Sequence, residues 1–142
     1  MRVLVIVKAS KDSEQGVLPD EQMMRAMGDY NEELVKAGIM QSGEGLKPSS
    51  FGKRIRFASG KASLVIDGPF AETKELIAGF WIWKVKSIDE AVAWARRCPV
   101  PASEEEAFLE IRPFYDMADF GAEYSPEVHE QEARIRKAAE QN

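Results

Sequence analysis

Val3, Val5 and Val7 alternate with Leu4 and Ile6, so a strand at the start of the chain carries apolar side chains on both faces. Between Asp20 and Ala37 the rhythm changes. Met23, Met27, Tyr30 and Leu34 recur at spacings of four, three and four, which marks one face of a helix. Pro19 precedes this helix and Gly38 ends it. Gly28 inside it costs about 1 kcal/mol relative to alanine, which suggests a place where another backbone comes close. Ile39 to Leu46 is short and punctuated by glycine, and predicts a strand. Lys53 to Ala58 and Ala62 to Asp67 alternate around Ser59-Gly60, a hairpin signal. Gly79 to Val85 sets Trp81, Trp83 and Val85 on one face and Phe80 and Ile82 on the other. Ser87 to Glu90 reads as a capping box opening a second helix that ends before Pro99. Phe108 to Arg112 predicts a last strand, halted by Pro113, which has no amide to donate.

This order specifies an α+β fold, an antiparallel sheet with helices on one face, over residues 1–116. Two helices cover one side of a sheet. The central strands are apolar on both sides, so a second cover is required, and its expected source is the sheet of another copy. The expectation is a homodimer with sheets face to face. Residues 117–142 predict a C-terminal helical extension, with Ser125-Pro126 as N-cap and first helical residue and Glu130/Arg134 and Glu132/Arg136 as pairs four apart. Its apolar stripe of Val128, Ile135 and Ala139 is thin, and is expected to lie across the body or a partner subunit.

Composition narrows the function classes. With 142 residues, 44% hydrophobic and 30% charged, the chain can fold around one core without a disulfide framework. The run Val3 to Val7 is shorter than a signal-peptide core, and no run approaches the roughly 18 apolar residues of a membrane span. A cytoplasmic protein with no membrane partner is expected. Cys98 is the sole cysteine and His129 the sole histidine, which excludes an internal disulfide and a Cys/His zinc cluster within one chain, so no metal is expected. The net charge is -5, and from Met117 onward six acids oppose three bases, leaving -3 in the tail. That balance disfavours direct nucleic-acid binding. No phosphate loop, dinucleotide fingerprint or nucleophile elbow occurs, so no cofactor is expected either.

Candidate chemistry concentrates in the run DGPFAETKELIAGFW, which begins at Asp67. Asp67-Gly68-Pro69 reads first as a turn, since Asp accepts from a nearby amide, Gly supplies an unusual dihedral and Pro fixes the next one. Read as a site, Asp67, Glu72 and Glu75 present carboxylates at a pocket mouth, with Lys74 as their counter-charge and as a group that could also hold an anionic ligand. Arg112 shares a strand face with Glu110, and either clamps a carboxylate or phosphate of a ligand or pairs with an acid such as Asp67 or Glu110. The candidate ligand-binding set is therefore Asp67, Glu72, Lys74 and Arg112. Trp81 and Trp83 read as core ahead of a stacking platform. Cys98, after Arg96 and Arg97, reads as a buried structural cysteine, and His129 as an exposed tail residue. The sequence names no catalytic residue.

GEGL, the DGPFAETKELIAGFW run, the capped SIDEAVAWARRCP helix and the closing EIRPF together resemble the DGPF branch of the YCII-related proteins. The resemblance runs from Met1 to about Phe114, and DFGAEYSPEVHEQEARIR is similar to the extension of longer members. It implies a ferredoxin-like βαβ(β)βαβ unit that dimerises into an α+β barrel, and little about activity. Some relatives carry a His-Asp pair whose histidine lies on the first helix. The matching position here is at or near Met27, and no histidine precedes His129, so that dyad cannot be assembled. Two functions then stand side by side. One is a dimeric barrel binding a small anionic or aromatic molecule, with weak acid/base chemistry from Asp67 or Glu72. The other is a noncatalytic interaction or regulatory module, on the missing histidine, the acidic helical tail and the resemblance to a family whose domain can occur alongside sigma-factor-like proteins.

Overall fold

The computed structural model describes residues 1–121 and 123–142. In chain order the elements are β1 (Arg2–Lys8), α1 (Lys11–Glu14), α2 (Glu21–Lys36), β2 (Met40–Gly45), β3 (Lys53–Ala58), β4 (Lys61–Asp67), β5 (Ile77–Lys84), α3 (Ile88–Ala95), β6 (Leu109–Pro113) and α4 (Pro126–Glu140). Short 3-10 turns occupy Ser49–Phe51, Thr73–Glu75 and Met117–Phe120. The sheet order is β2-β5-β1-β6 with every pair antiparallel. Two βαβ halves, β1-α2-β2 and β5-α3-β6, thus interleave, and the architecture is α+β of the ferredoxin-like kind.

The apolar rhythm seen in the sequence becomes a core on one face of this sheet. Val3 and Val5 of β1, Trp81 and Trp83 of β5, and Tyr30 and Leu34 of α2 are all buried, with Ala91 of α3 closing the layer. Asp20 caps α2, accepting from the Met23 amide at 2.8 Å, and Gly38 leaves the helix with φ 73°, a left-handed conformation that glycine adopts without a Cβ penalty. Ser87 caps α3 as predicted, accepting from the Glu90 amide. Glu90 reaches past the cap residue, however, and accepts from Lys86 N at 2.9 Å instead of closing the box. The close approach expected at Gly28 is absent: a Cβ there would meet nothing within 4 Å. Gly28 lies on an open stretch of helix, and packing elsewhere on α2 outweighs its propensity.

Two groups in this core hold their protons tightly. Tyr30 donates to the Trp94 carbonyl at 2.7 Å and meets Trp81 edge-on at 5.9 Å. Burial holds its hydroxyl well above the ordinary tyrosine range. Burial also pushes the Cys98 thiol up to about 11 from an ordinary 9.0. The native state therefore keeps protons that the unfolded chain gives up as pH rises. Stability should be complete below about pH 9 and fall as pH rises through about 11, and urea midpoints measured from pH 7 to 11 check this. Cys98→Ala should shallow the decline above pH 9, whereas an unchanged profile would separate the thiol from it.

The predicted hairpin is present but does not join the main sheet. β3 and β4 form a two-stranded sheet of their own, turned at Ser59 (φ 52°) and Gly60 (φ 76°). Two consecutive positive φ values give the primed turn that matches strand twist. Every residue of both strands is exposed.

Candidate functional site

The sheet face opposite the helices is the first place where chemistry can be built. Because side chains alternate, the residues between the core positions point the other way. Leu4 lies between Ile82 and Arg112, and Ile6 between Phe80 and Glu110, while Ser42 and Glu44 flank Ile82 and Phe80 from the β2 side. The result is an apolar floor of Leu4, Ile6, Phe80 and Ile82 with polar side chains along both edges. Ile6 is buried, whereas Leu4, Phe80 and Ile82 are only half-buried. At one end of the floor Lys8 pairs with Glu110 at 3.5 Å. This pair occupies Glu110 with Lys8, so the reading in which Arg112 pairs with Glu110 is not what forms.

The DGPF run closes the same end of the sheet. Ala9 donates to the Leu76 carbonyl, which ties the loop to the end of β1. Gly68 donates to Gly52 O at 3.0 Å, and a Cβ on Gly68 would collide with the Ser49 carbonyl oxygen. Ser49 is itself clamped by Glu14 of α1. The carboxylate accepts from Ser49 N at 3.0 Å and from Ser49 Oγ at 2.5 Å, and Ser49 Oγ accepts from the Phe70 amide at 3.0 Å. The Arg54 guanidinium lies over the Phe70 ring at 3.9 Å. The peptide bond between Gly68 and Pro69 is cis. The first half of the run is therefore a turn knotted to three other segments. Glu14 and Ser49 were not legible as its partners, because 35 and 21 residues separate Ser49 from Glu14 and Phe70.

The four candidate ligand-binding residues fall in separate places. Asp67 ends β4 and pairs with Lys53 at 2.5 Å, so Lys53 and not Lys74 is its counter-charge. Glu72 and Lys74 are exposed on the 3-10 turn before β5, and Glu72 caps that turn without a side-chain hydrogen bond. Arg112 is exposed on β6 beside Leu4, four residues along β1 from Lys8, which pairs with Ile77. At about 3.3 Å per residue that is roughly 13 Å of strand. Arg112 thus serves one end of the floor and the DGPF loop the other.

A second concavity lies in the tail. The aromatic rings of Tyr115, Phe120 and Tyr124 succeed one another at 5.3 and 6.0 Å, and Phe120, Tyr124, Val128 and Ile135 line a groove of about 250 Å³. His129, expected to be exposed, is half-buried in its wall. Of the two predicted pairs on α4, Glu132–Arg136 forms at 3.1 Å, and Arg134 makes none among the described residues. Among the described residues no group of three or more His, Cys, Asp or Glu side chains could hold a metal ion, and no helix is long and apolar enough to cross a membrane.

Residues 1–115 match the family described as the YCII-related domain. An uncharacterized protein of Rhizobium meliloti (strain 1021) is 35% identical over 94 residues, which is 66% of this chain and 74% of that one. Among solved structures, 5-chloro-2-hydroxyhydroquinone dehydrochlorinase from Burkholderia phenoliruptrix, in complex with 2,5-dihydroxybenzoquinone, is 18% identical, covering 84% of this chain and 98% of its own with a TM-score of 0.39.

Proposed function

The chain belongs to the YCII-related domain family, and from that premise we propose that it binds a small molecule over the open face of its sheet, within a homodimer whose second sheet closes the chamber. Within the family, the DGPF branch is the placement we favour, on the run that starts at Asp67. The observation that carries the binding proposal is the floor of Leu4, Ile6, Phe80 and Ile82, left half-open by its own chain and bordered by Arg112, Glu110 and Glu44. An apolar floor with a few polar groups at its margin suits a ligand with a flat apolar body and one charged end. Arg112 makes no ion pair among the described residues, so its planar fork is available for a carboxylate. Asp67, Glu72 and Lys74 would act at the far rim, as gatekeepers of the DGPF end. The His-Asp chemistry of some relatives has no counterpart, since half-buried Met27 stands on α2 near where the histidine would be.

Simple aromatic carboxylates, benzoate and its hydroxylated derivatives, are the probes of choice. Wild-type protein should show saturable binding by calorimetry, and Arg112→Ala should weaken it about tenfold or more while leaving the melting temperature of the free protein unchanged. Undiminished affinity in Arg112→Ala would remove the clamp. Absence of saturable binding by any of these probes would sink the proposed ligand class. Sedimentation at micromolar concentration tests the homodimer, and a monomer mass would refute the closed chamber. The alternative of a noncatalytic interaction module draws its support from the apolar groove in the tail.

A further inference from the structure

Two parts of this chain end in open strand edges, and each holds what the other lacks. The first is the β3–β4 hairpin, a two-stranded sheet of its own. Such a hairpin is marginal in water until a third strand or layer joins it. Its two faces differ. Ile55 and Phe57 of β3 point to one side, with Val65 opposite Ile55, and all three are more than half exposed. Arg54 and Arg56 point to the other side, where Arg54 lies over the Phe70 ring and Arg56 makes no ion pair among the described residues.

The second part is β2, an edge strand paired only with β5. Its run MQSGEG holds neither lysine nor proline to guard that edge, whereas β6 at the opposite edge ends in Pro113. Leu46 N donates to Ala78 O, so by antiparallel alternation Ser42 and Glu44 bond inward to β5, and the N–H and C=O of Gly43 and Gly45 point outward. On the helix side a Cβ at Gly45 would meet nothing within 4 Å, and Asn31, Glu32, Val35, Lys36 and Met40 line an open concavity of about 290 Å³. Asn31 also binds Trp81, the partner of Gly43, which places this concavity along the strand. On the opposite side stands Glu44, exposed and without an ion pair among the described residues.

We propose that β3 of a second copy adds to the β2 edge as a fifth strand, with Ile55 and Phe57 on the helix side beside Val35 and Met40, and Arg56 on the other side beside Glu44. Main-chain bonds to Gly43 and Gly45 hold such a strand, and the alternating side chains select it. A slip of one residue would turn Arg56 onto the concavity and Phe57 toward Glu44, so the match also fixes register. The second copy is the occupant because each chain carries one arm and one edge, and a two-fold axis satisfies both at once. Within its own chain the hairpin is held at the DGPF end, by the Gly68–Gly52 bond and the Glu14–Ser49 clamp. The contact uses the edge of the sheet and not its open face, so it stands apart from the ligand chamber.

Phe57→Ser, Arg56→Glu and Glu44→Arg each alter an exposed side chain, so circular dichroism should stay at wild type. In sedimentation equilibrium at low salt each should dissociate at least tenfold more readily than wild type, because a two-fold axis counts every change twice. Mixing Arg56→Glu chains with Glu44→Arg chains, or placing both substitutions in one chain, joins opposite charges at both contacts and should restore wild-type affinity. Amide exchange followed by nuclear magnetic resonance locates the contact: Gly43 and Gly45 should exchange at least tenfold more slowly in wild type than in Phe57→Ser. The proposal is overturned if wild type is monomeric, if the three variants associate as wild type does, if the paired charges restore nothing, or if Gly43 and Gly45 exchange alike in both proteins. A dimer that survives all three variants would leave the sheet-to-sheet packing standing and remove the arm contact alone.

Discussion

Gly68→Ala should destabilise the protein by about 3 kcal/mol or more, an effect at the upper end of what one methyl group does in a packed structure. The reason is that the added Cβ meets backbone, the Ser49 carbonyl oxygen, and not the end of a flexible side chain. That carbonyl cannot retreat cheaply. It accepts from Gly52 N at 2.9 Å, and Ser49 is pinned on its other atoms by both oxygens of Glu14. Relief would require breaking a charge-assisted pair of hydrogen bonds or withdrawing the Gly68 amide from Gly52, each leaving polar groups unmatched. With a slope of about 1–3 kcal/mol per molar urea for a chain of this size, the unfolding midpoint should drop by roughly 1 M or more. A shift below about 0.2 M would show that the loop accommodates the methyl group and that the close approach is not required.

Trp83→Ala is expected to cost about 3–5 kcal/mol, the range for removing a large aromatic side chain from a core. Trp83 is fully buried, lies 5.7 Å from Trp81 ring to ring, and stands between Val3 and Met40 in the sheet. Its neighbours are held from several sides and collapse only partly into the space. Trp81 is fixed by its indole N–H donating to Asn31 at 2.9 Å, and Tyr30 by its bond to Trp94. Trp83→Phe should cost distinctly less. It leaves a smaller void and also removes an indole N–H that is buried without a partner among the described residues. Denaturation of both variants under one condition settles the order, and equal losses would mean that volume is not what the site responds to.

The sequence made the main sheet legible because its signals are local and repeat. Period-two alternation in β1 and β5, the spacing of Met23, Met27, Tyr30 and Leu34, and the Ser59-Gly60 turn each lie within one element, and each element formed where its pattern predicts. Even the detached hairpin pairs Lys53 to Ala58 with Lys61 to Asp67, with one shift of register between Arg56 and Phe57. What the pattern does not encode is which distant segments meet. Glu14 reads as an ordinary surface acid, yet it fastens the turn that holds the DGPF run. Asp67 and Lys74 are seven positions apart and suggest a pair, but the antiparallel ladder sets Lys53 opposite Asp67. Arg112 was correctly paired in face with Glu110, while Lys8 captures the acid because the neighbouring strand delivers it across the sheet. Candidate-site chemistry depends on such crossings, and composition and periodicity are silent about them.

The position of β1 in the middle of the sheet also bears on how the chain leaves the ribosome. β1 ends at Lys8, yet its neighbours are β5 and β6, which begin at Ile77 and end at Pro113. At synthesis rates of 5–20 residues per second, the hundred or so residues between them take on the order of 5–20 s to appear. Until β5 has been made the Val3–Val7 segment has neither of its sheet neighbours, and its second edge stays open until β6 follows. The sheet is therefore completed from the last third of the domain, although the strand at its centre is made first.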